Sequence, residues 1–201
     1  MTESKPFANL LGERLAAAAK LLERVRADTA LLDATVRAAE LTAESINEGG
    51  TLFICGNGGS AGEATHLSGE LIGPFLDKRR RPLPAVALGF DTAAATAVAN
   101  DFRFDQVFAR QLEALARPGD VLWALSTCGR SPNVLNALKV ARGRGLTSIL
   151  LTGDVGVVAA QSGADLVLAV PSGETPRIQE IHLMLGHFLC EAVERSAIAA
   201  G

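Results

Sequence analysis

A three-layer α/β/α sandwich with a five-stranded parallel sheet, Rossmann-like and preceded by helices, is the fold this sequence predicts. Three observations carry that prediction. Five short apolar runs lack the polar alternation of a half-exposed strand, which suits strands buried on both faces of a parallel sheet. Stretches with helical periodicity follow these runs. Glycine-containing turns come directly after the first and third runs, where open α/β sheets bind their ligands.

Taken in order, the first 48 residues are rich in Ala, Leu, Glu and Arg, with helical spacing at Leu11, Leu15 and Leu22 and again at Leu31, Val36, Leu41 and Ile46. Two helices are expected, split near Asp28-Thr29 and stopped at Gly49-Gly50. The strands follow at 51–55, 84–88, 120–125, 147–151 and 165–170, and a last helix covers about 176–197. No linker, repeat or low-complexity stretch interrupts the chain, so residues 1–201 read as one domain. Residues 1–48 carry more apolar helical surface than a sheet of this size covers, which predicts an oligomer interface.

Composition narrows the function. At 201 residues, with 48% hydrophobic and 20% charged residues, the chain can bury a sizeable core without staples. A net charge of −3 gives no basic field, which argues against nucleic-acid binding by phosphate neutralisation. The local run Lys78-Arg79-Arg80-Arg81 reads as a solvated loop. Cys55, Cys128 and Cys190 form no CxxC and sit in apolar strand-like or helical contexts, so they are expected to be reduced and structural. With no basic-then-apolar leader and no apolar run long enough to span a bilayer, the expectation is a cytoplasmic protein without membrane attachment.

Two loops look built for a phosphate: Gly56-Asn57-Gly58-Gly59-Ser60 after the first strand and Ser126-Thr127-Cys128-Gly129-Arg130-Ser131 after the third. Glycines allow close backbone approach, and the following helix N-terminus aims free N–H groups at an anion. A dinucleotide fold fits less well. The third glycine falls at Gly62, one residue late for G-x-G-x-x-G, and no acidic residue closes a strand about 20 residues on.

On a helix beginning near Ser60, His66 and Glu70 are four residues apart, about 40° around the axis, a spacing that suits two ligands to one metal. Glu63 lies on the same face and competes for the ligand role. On the last helix, Gln179 and His187 are about 80° apart and can border one cleft, whereas His182 points about 140° away from His187 and reads as structural.

These segments, "CGNGGSA", "HLSGEL", "VANDF", "RPGDVL", "STCGRSPNV", "LTGD" and "RIQEIHLMLGHFLCEAVE", resemble in order and spacing the phosphoheptose isomerases of the sugar isomerase (SIS) superfamily. The resemblance implies a SIS-type fold and a zinc site from His66, Glu70, Gln179 and His187, with Glu70 and His187 as the acid–base pair. It implies substrate contacts from Asn57, Gly58, Gly59, Asn100, Asp101, Ser126, Thr127, Cys128, Ser131 and Gln179. A cytoplasmic homotetramer with shared active sites, supplying ADP-heptose precursors for surface glycans or related metabolites, is also implied by the family.

Two departures stand out. Cys128 and Arg130 replace a serine and an asparagine in the usual phosphate loop, and Pro74-Phe75 stands where many members carry a basic residue. The chemistry suits the residues nonetheless: a carboxylate can take the carbon-bound proton in an aldose–ketose isomerisation and an imidazole can shuttle one on oxygen. The alternative is a non-catalytic SIS-type module that binds a sugar phosphate or associates with a replication initiator. Such modules lack the full set His66, Glu70, Gln179 and His187 that this chain retains.

Overall fold

The computed structural model describes residues 6–156 and 161–200. Residues 1–5, 157–160 and 201 of the expected 1–201 unit lie outside this description. The elements run α1 (Pro6–Ala27), α2 (Thr29–Asn47), β1 (Leu52–Gly56), α3 (Gly59–Ile72), β2 (Ala85–Ala87) and α4 (Thr92–Asp101). After a single 3-10 turn follow α5 (Val107–Leu115), β3 (Val121–Leu125), α6 (Pro132–Arg144), β4 (Thr147–Thr152), β5 (Leu166–Ala169) and α7 (Thr175–Ala200). The expected break falls at Asp28, whose side chain caps α2 by accepting from the Leu31 N–H at 3.0 Å.

All five strands are parallel, in the order β2-β1-β3-β4-β5. The order reverses at β1: the chain first steps outward to β2, then crosses back to β3. Gly56 pairs with Leu125 and Leu125 with Leu151, so the loops after β1, β3 and β4 emerge along one edge. The turns after β1 and β3 flank the reversal, the place where an open α/β sheet leaves a crevice for a ligand.

Successive side chains alternate between two cores. Leu52, Ile54, Val121, Trp123, Ile149 and Leu151 face α2, α3 and α7. Phe53, Cys55, Leu122, Ala124 and Leu150 face α5 and α6. The buried Trp123 donates its Nε1–H to Thr42 Oγ1 at 3.1 Å, tying the sheet to α2. Only the C-terminal part of α1, through Leu21 and Val25, enters the core, while Phe7, Leu10, Leu11 and Leu15 stay exposed, the uncovered apolar surface expected of the N-terminal segment. Among the described residues no helix is long and apolar enough to cross a membrane.

Candidate active site

The turn after β1 needs glycine at two points for different reasons. Gly58 has φ +55°, a left-handed conformation that a Cβ disfavours. At Gly59 a Cβ would stand 2.5 Å from Gln179 Nε2, so the missing side chain lets α7 approach the start of α3. Gln179 Nε2 donates to Ser60 Oγ at 3.5 Å, a long bond that places Gln179 beside this turn.

After β3 the chain turns through Ser126, Thr127, Cys128 and Gly129. Ser126 Oγ lies 3.1 Å from Ser131 Oγ, and Cys128 Sγ is 3.8 and 3.9 Å from the two hydroxyls. Three small donors thus gather at one point. Cys128 is exposed here, which corrects the expectation of a structural cysteine in an apolar setting; Cys55 and Cys190 are buried as expected. Partial burial opposes ionisation of the Cys128 thiol, but the Arg130 backbone and the Ser126 and Ser131 hydroxyls outweigh it and hold the thiol below its ordinary range.

The helices after both turns, α3 and α6, start without a side-chain cap among the described residues, whereas Asp28 and Asp91 cap α2 and α4. The Ser60, Ala61 and Gly62 N–H groups turn back to the Asn57 and Gly58 carbonyls, Val134 N–H is taken by Asn133 Oδ1 and Pro132 has no N–H, which leaves the Gly59 and Asn133 N–H groups to face an anion. Asn57 and Asn133 link the two turns by reciprocal amide bonds of 2.9 and 2.7 Å, which commits the Asn57 side chain to the scaffold. Asn57, Ser131, Asn133, Phe102, Arg103 and Phe104 border an open cavity of about 610 Å³, within the range of small-ligand sites. Asn100 and Asp101 end α4 beside it, exposed and joined by a 2.7 Å hydrogen bond. Thr127 contributes its carbonyl to the Gly153 N–H at 3.1 Å, fastening the turn to the loop after β4.

Farther along α3 the histidines meet. A Cβ on Gly186 would lie 2.7 Å from Leu67 Cδ1, so α3 and α7 touch at this glycine, and the next side chains along, His66 and His187, face each other. Their Nε2 atoms are 2.7 Å apart, and Glu70 Oε1 lies 3.4 Å from His66 Nε2. Ligand atoms of His66, Glu70 and His187 all fall within 4.8 Å of one another. Two convergent imidazole nitrogens and a carboxylate form a donor set that fits a divalent ion such as zinc. Gln179, the fourth residue implied by the resemblance, is turned toward Ser60 in this structure.

Glu63 does not join the triad. Both of its carboxylate oxygens are buried, and among the described residues the Ser60 hydroxyl beside them is the one polar neighbour, short of full hydrogen-bonding geometry. Burial pushes its carboxyl from 4.5 up to about 7, with the Ser60 hydroxyl pulling the other way. Because the folded protein holds this proton more tightly than the unfolded chain, Glu63 favours folding most below about pH 4.5 and loses that contribution as pH rises through about 7. Glu63→Gln is therefore expected to raise the melting temperature at pH 8 and change it little at pH 4.5. Thermal scans across that range check this, and an equal shift at both ends would contradict it. His182 is the structural residue anticipated: buried, 3.2 Å from the Thr152 carbonyl, and pushed down to about 4 by burial.

Three further residues escaped the sequence reading. Phe75 stacks on His187 with ring centroids 5.7 Å apart at 22°. Arg80 was grouped with a solvated basic run, yet its side chain is only 3% exposed and pairs with Glu194, itself 2% exposed. The run is thus not uniformly solvated, because Arg80 turns inward to the one carboxylate on the buried stripe of α7. A carboxylate amid Leu189, Cys190, Val193 and Ala197 was the available signal, since a buried charge demands a partner.

The SIS domain model matches residues 15–153. A phosphoheptose isomerase of Bradyrhizobium sp. strain BTAi1 is 46% identical over 187 residues, 92% of this chain and 93% of that protein. Among solved structures, phosphoheptose isomerase from Neisseria gonorrhoeae is 39% identical with a TM-score of 0.85, covering 94% of this chain and 99% of that one. A phosphoheptose isomerase from Francisella tularensis is 33% identical with a TM-score of 0.86, covering 94% and 98%.

Proposed function

The chain belongs to the phosphoheptose isomerase family of SIS-domain proteins, and from that premise we propose that its site interconverts sedoheptulose 7-phosphate and D-glycero-D-manno-heptose 7-phosphate through an enediol. It is a sugar-phosphate isomerase. The observation that supports these residues as its machinery is the meeting of His66, Glu70 and His187 on the same helix pair that borders the first glycine turn. His66 lies seven residues beyond Gly59, roughly 10 Å along α3 at ~1.5 Å per residue, a span comparable to an extended seven-carbon sugar phosphate.

In the ketose-to-aldose direction, Glu70 takes the proton from C1, and the freed electron pair forms the C1–C2 double bond as O2 is protonated. His187 carries the hydroxyl proton between O1 and O2. A proton returned to C2, with the carbonyl now at C1, completes an exchange that consumes nothing. Zinc held by His66, Glu70 and His187, with Gln179 as the fourth donor, would polarise the substrate oxygens and align them. Gly58, Gly59, Ser126, Thr127, Cys128 and Ser131 hold the phosphate and orient C1 and C2 against Glu70, with Asn57, Asn100 and Asp101 on the sugar side.

The exposed apolar face of α1 supports a homotetramer, with the chain acting as one SIS domain in the cytoplasm. A light-scattering mass near 21 kDa would count against that assembly. The non-catalytic module reading is not favoured. The deciding experiment is turnover of sedoheptulose 7-phosphate, then of other heptose, hexose and pentose phosphates, alongside elemental analysis of protein purified without chelator. Product from the heptose and about one divalent ion per subunit are expected; no product from any sugar phosphate would overturn the reading.

A further inference from the structure

We infer that the buried Arg80–Glu194 pair is a positioning device for the catalytic wall, setting Glu70 from behind and pressing Phe75 onto His187. The inference rests on the functional reading above. Its geometry begins at Glu194, seven residues after His187 and therefore about 20° from it around α7. One carboxylate there gathers a whole loop: Oε1 accepts from the N–H groups of Leu76 at 2.7 Å and Asp77 at 3.0 Å, and Oε2 accepts from Phe75 N–H at 3.0 Å and from Arg80 Nε. Arg80 completes the knot. Its Nη2 donates to the Glu70 carbonyl at 2.8 Å and to the Gly73 carbonyl, and its Nη1 to the Arg81 carbonyl at 2.9 Å.

Each contact has a consequence at the site. The Glu70 carbonyl belongs to the last turn of α3, where backbone acceptors lack helical partners, and Gly73 is the cap residue that ends it, so the guanidinium fixes the turn that carries the Glu70 carboxylate. Glu194 fixes the Phe75 backbone, and the Phe75 ring stacks on the imidazole of His187. One ion pair therefore reaches two members of the triad through separate paths without touching the reacting atoms. A lysine at position 80 would keep the charge but lose the fork that spans Glu194 and two carbonyls. Glutamine at 194 would keep the shape, but its amide presents two N–H donors to groups that also donate.

The test compares wild type with Glu194→Gln, Arg80→Lys and Phe75→Leu in the full-length protein. Three readouts are taken: His187 ring resonances in chelator-treated protein, zinc affinity by competition with a chromophoric chelator, and kcat and KM for sedoheptulose 7-phosphate. Expected results are displaced His187 resonances in all three variants and zinc affinity at least ~10-fold weaker in Glu194→Gln and Arg80→Lys, comparable to losing a supporting partner of a metal ligand. Turnover should fall at least ~10-fold with KM within about twofold, because misplacing catalytic groups lowers kcat while the phosphate loops are untouched. Phe75→Leu guards against a variant that fails to fold, since it removes the ring and leaves the ion pair. If folded Arg80→Lys and Phe75→Leu keep wild-type His187 resonances, zinc affinity and kcat, and differ only in melting temperature, the pair is merely structural and the inference is overturned. Absence of turnover in wild type would instead sink the functional reading, leaving the resonance and zinc measurements to decide this one.

Discussion

Glu70→Gln is expected to reduce turnover by ~10²–10⁴-fold, the loss typical of removing a general base, while leaving sugar-phosphate binding in place. The amide matches the carboxylate in shape but cannot accept the C1 proton. Phosphate affinity should persist because the Ser126–Ser131 turn belongs to another loop, held by its own contacts at Thr127, Ser126 and Ser131. Glu70 is also a proposed ligand, so metal content measured in the same sample separates a lost base from a lost ion. The informative control is Glu63→Gln, about two turns earlier on α3, whose carboxylate is buried apart from the triad. Near-normal turnover in the Glu70 variant, or an equal loss in the Glu63 variant, would move the base to the other carboxylate.

Gly186→Val should be the most damaging substitution away from the reacting groups. Even a single Cβ at this position would stand 2.7 and 2.8 Å from the two methyl carbons of Leu67, a side chain with no exposed surface into which to retreat. Valine adds two more methyls at the same contact. Overpacking of this kind costs about 1–3 kcal/mol, or a melting temperature lower by roughly 2–12 °C in a chain of this size. Relief must come from separating α3 and α7, which carry His66 and His187, so zinc affinity should fall with stability. Gly143→Ala on α6 is the matched control, because a Cβ there meets nothing within 4 Å. Equal melting temperatures and equal zinc affinity for Gly186→Val and wild type would show that the helices do not meet as described.

The sequence alone determined the elements whose signals are local. Short apolar runs without polar alternation, bounded by turn residues, suit strands covered on both sides, and those runs became β1 to β5 with every boundary within one residue. Asp28 announced a helix start because its carboxylate is short enough to bond an N–H in its own first turn. The two turns beside the sheet reversal were legible for the same reason, since glycine and serine near a helix start carry their chemistry in the backbone. His66 and Glu70 were legible as a pair because helical spacing fixes which residues share a face. Their partner His187 came only from the family resemblance, not from spacing. That His187 lies 2.7 Å from His66 depends on a glycine at one crossing of two helices 121 residues apart, a contact no periodicity encodes. Arg80 shows the same limit most plainly: within Lys78-Arg79-Arg80-Arg81 its neighbour Arg79 is solvated, and only tertiary structure decided which guanidinium would turn inward. Burying a charge is tolerable only where a counter-charge and carbonyl acceptors already wait, and in this protein Glu194 and the end of α3 come together at that spot only after the chain has folded.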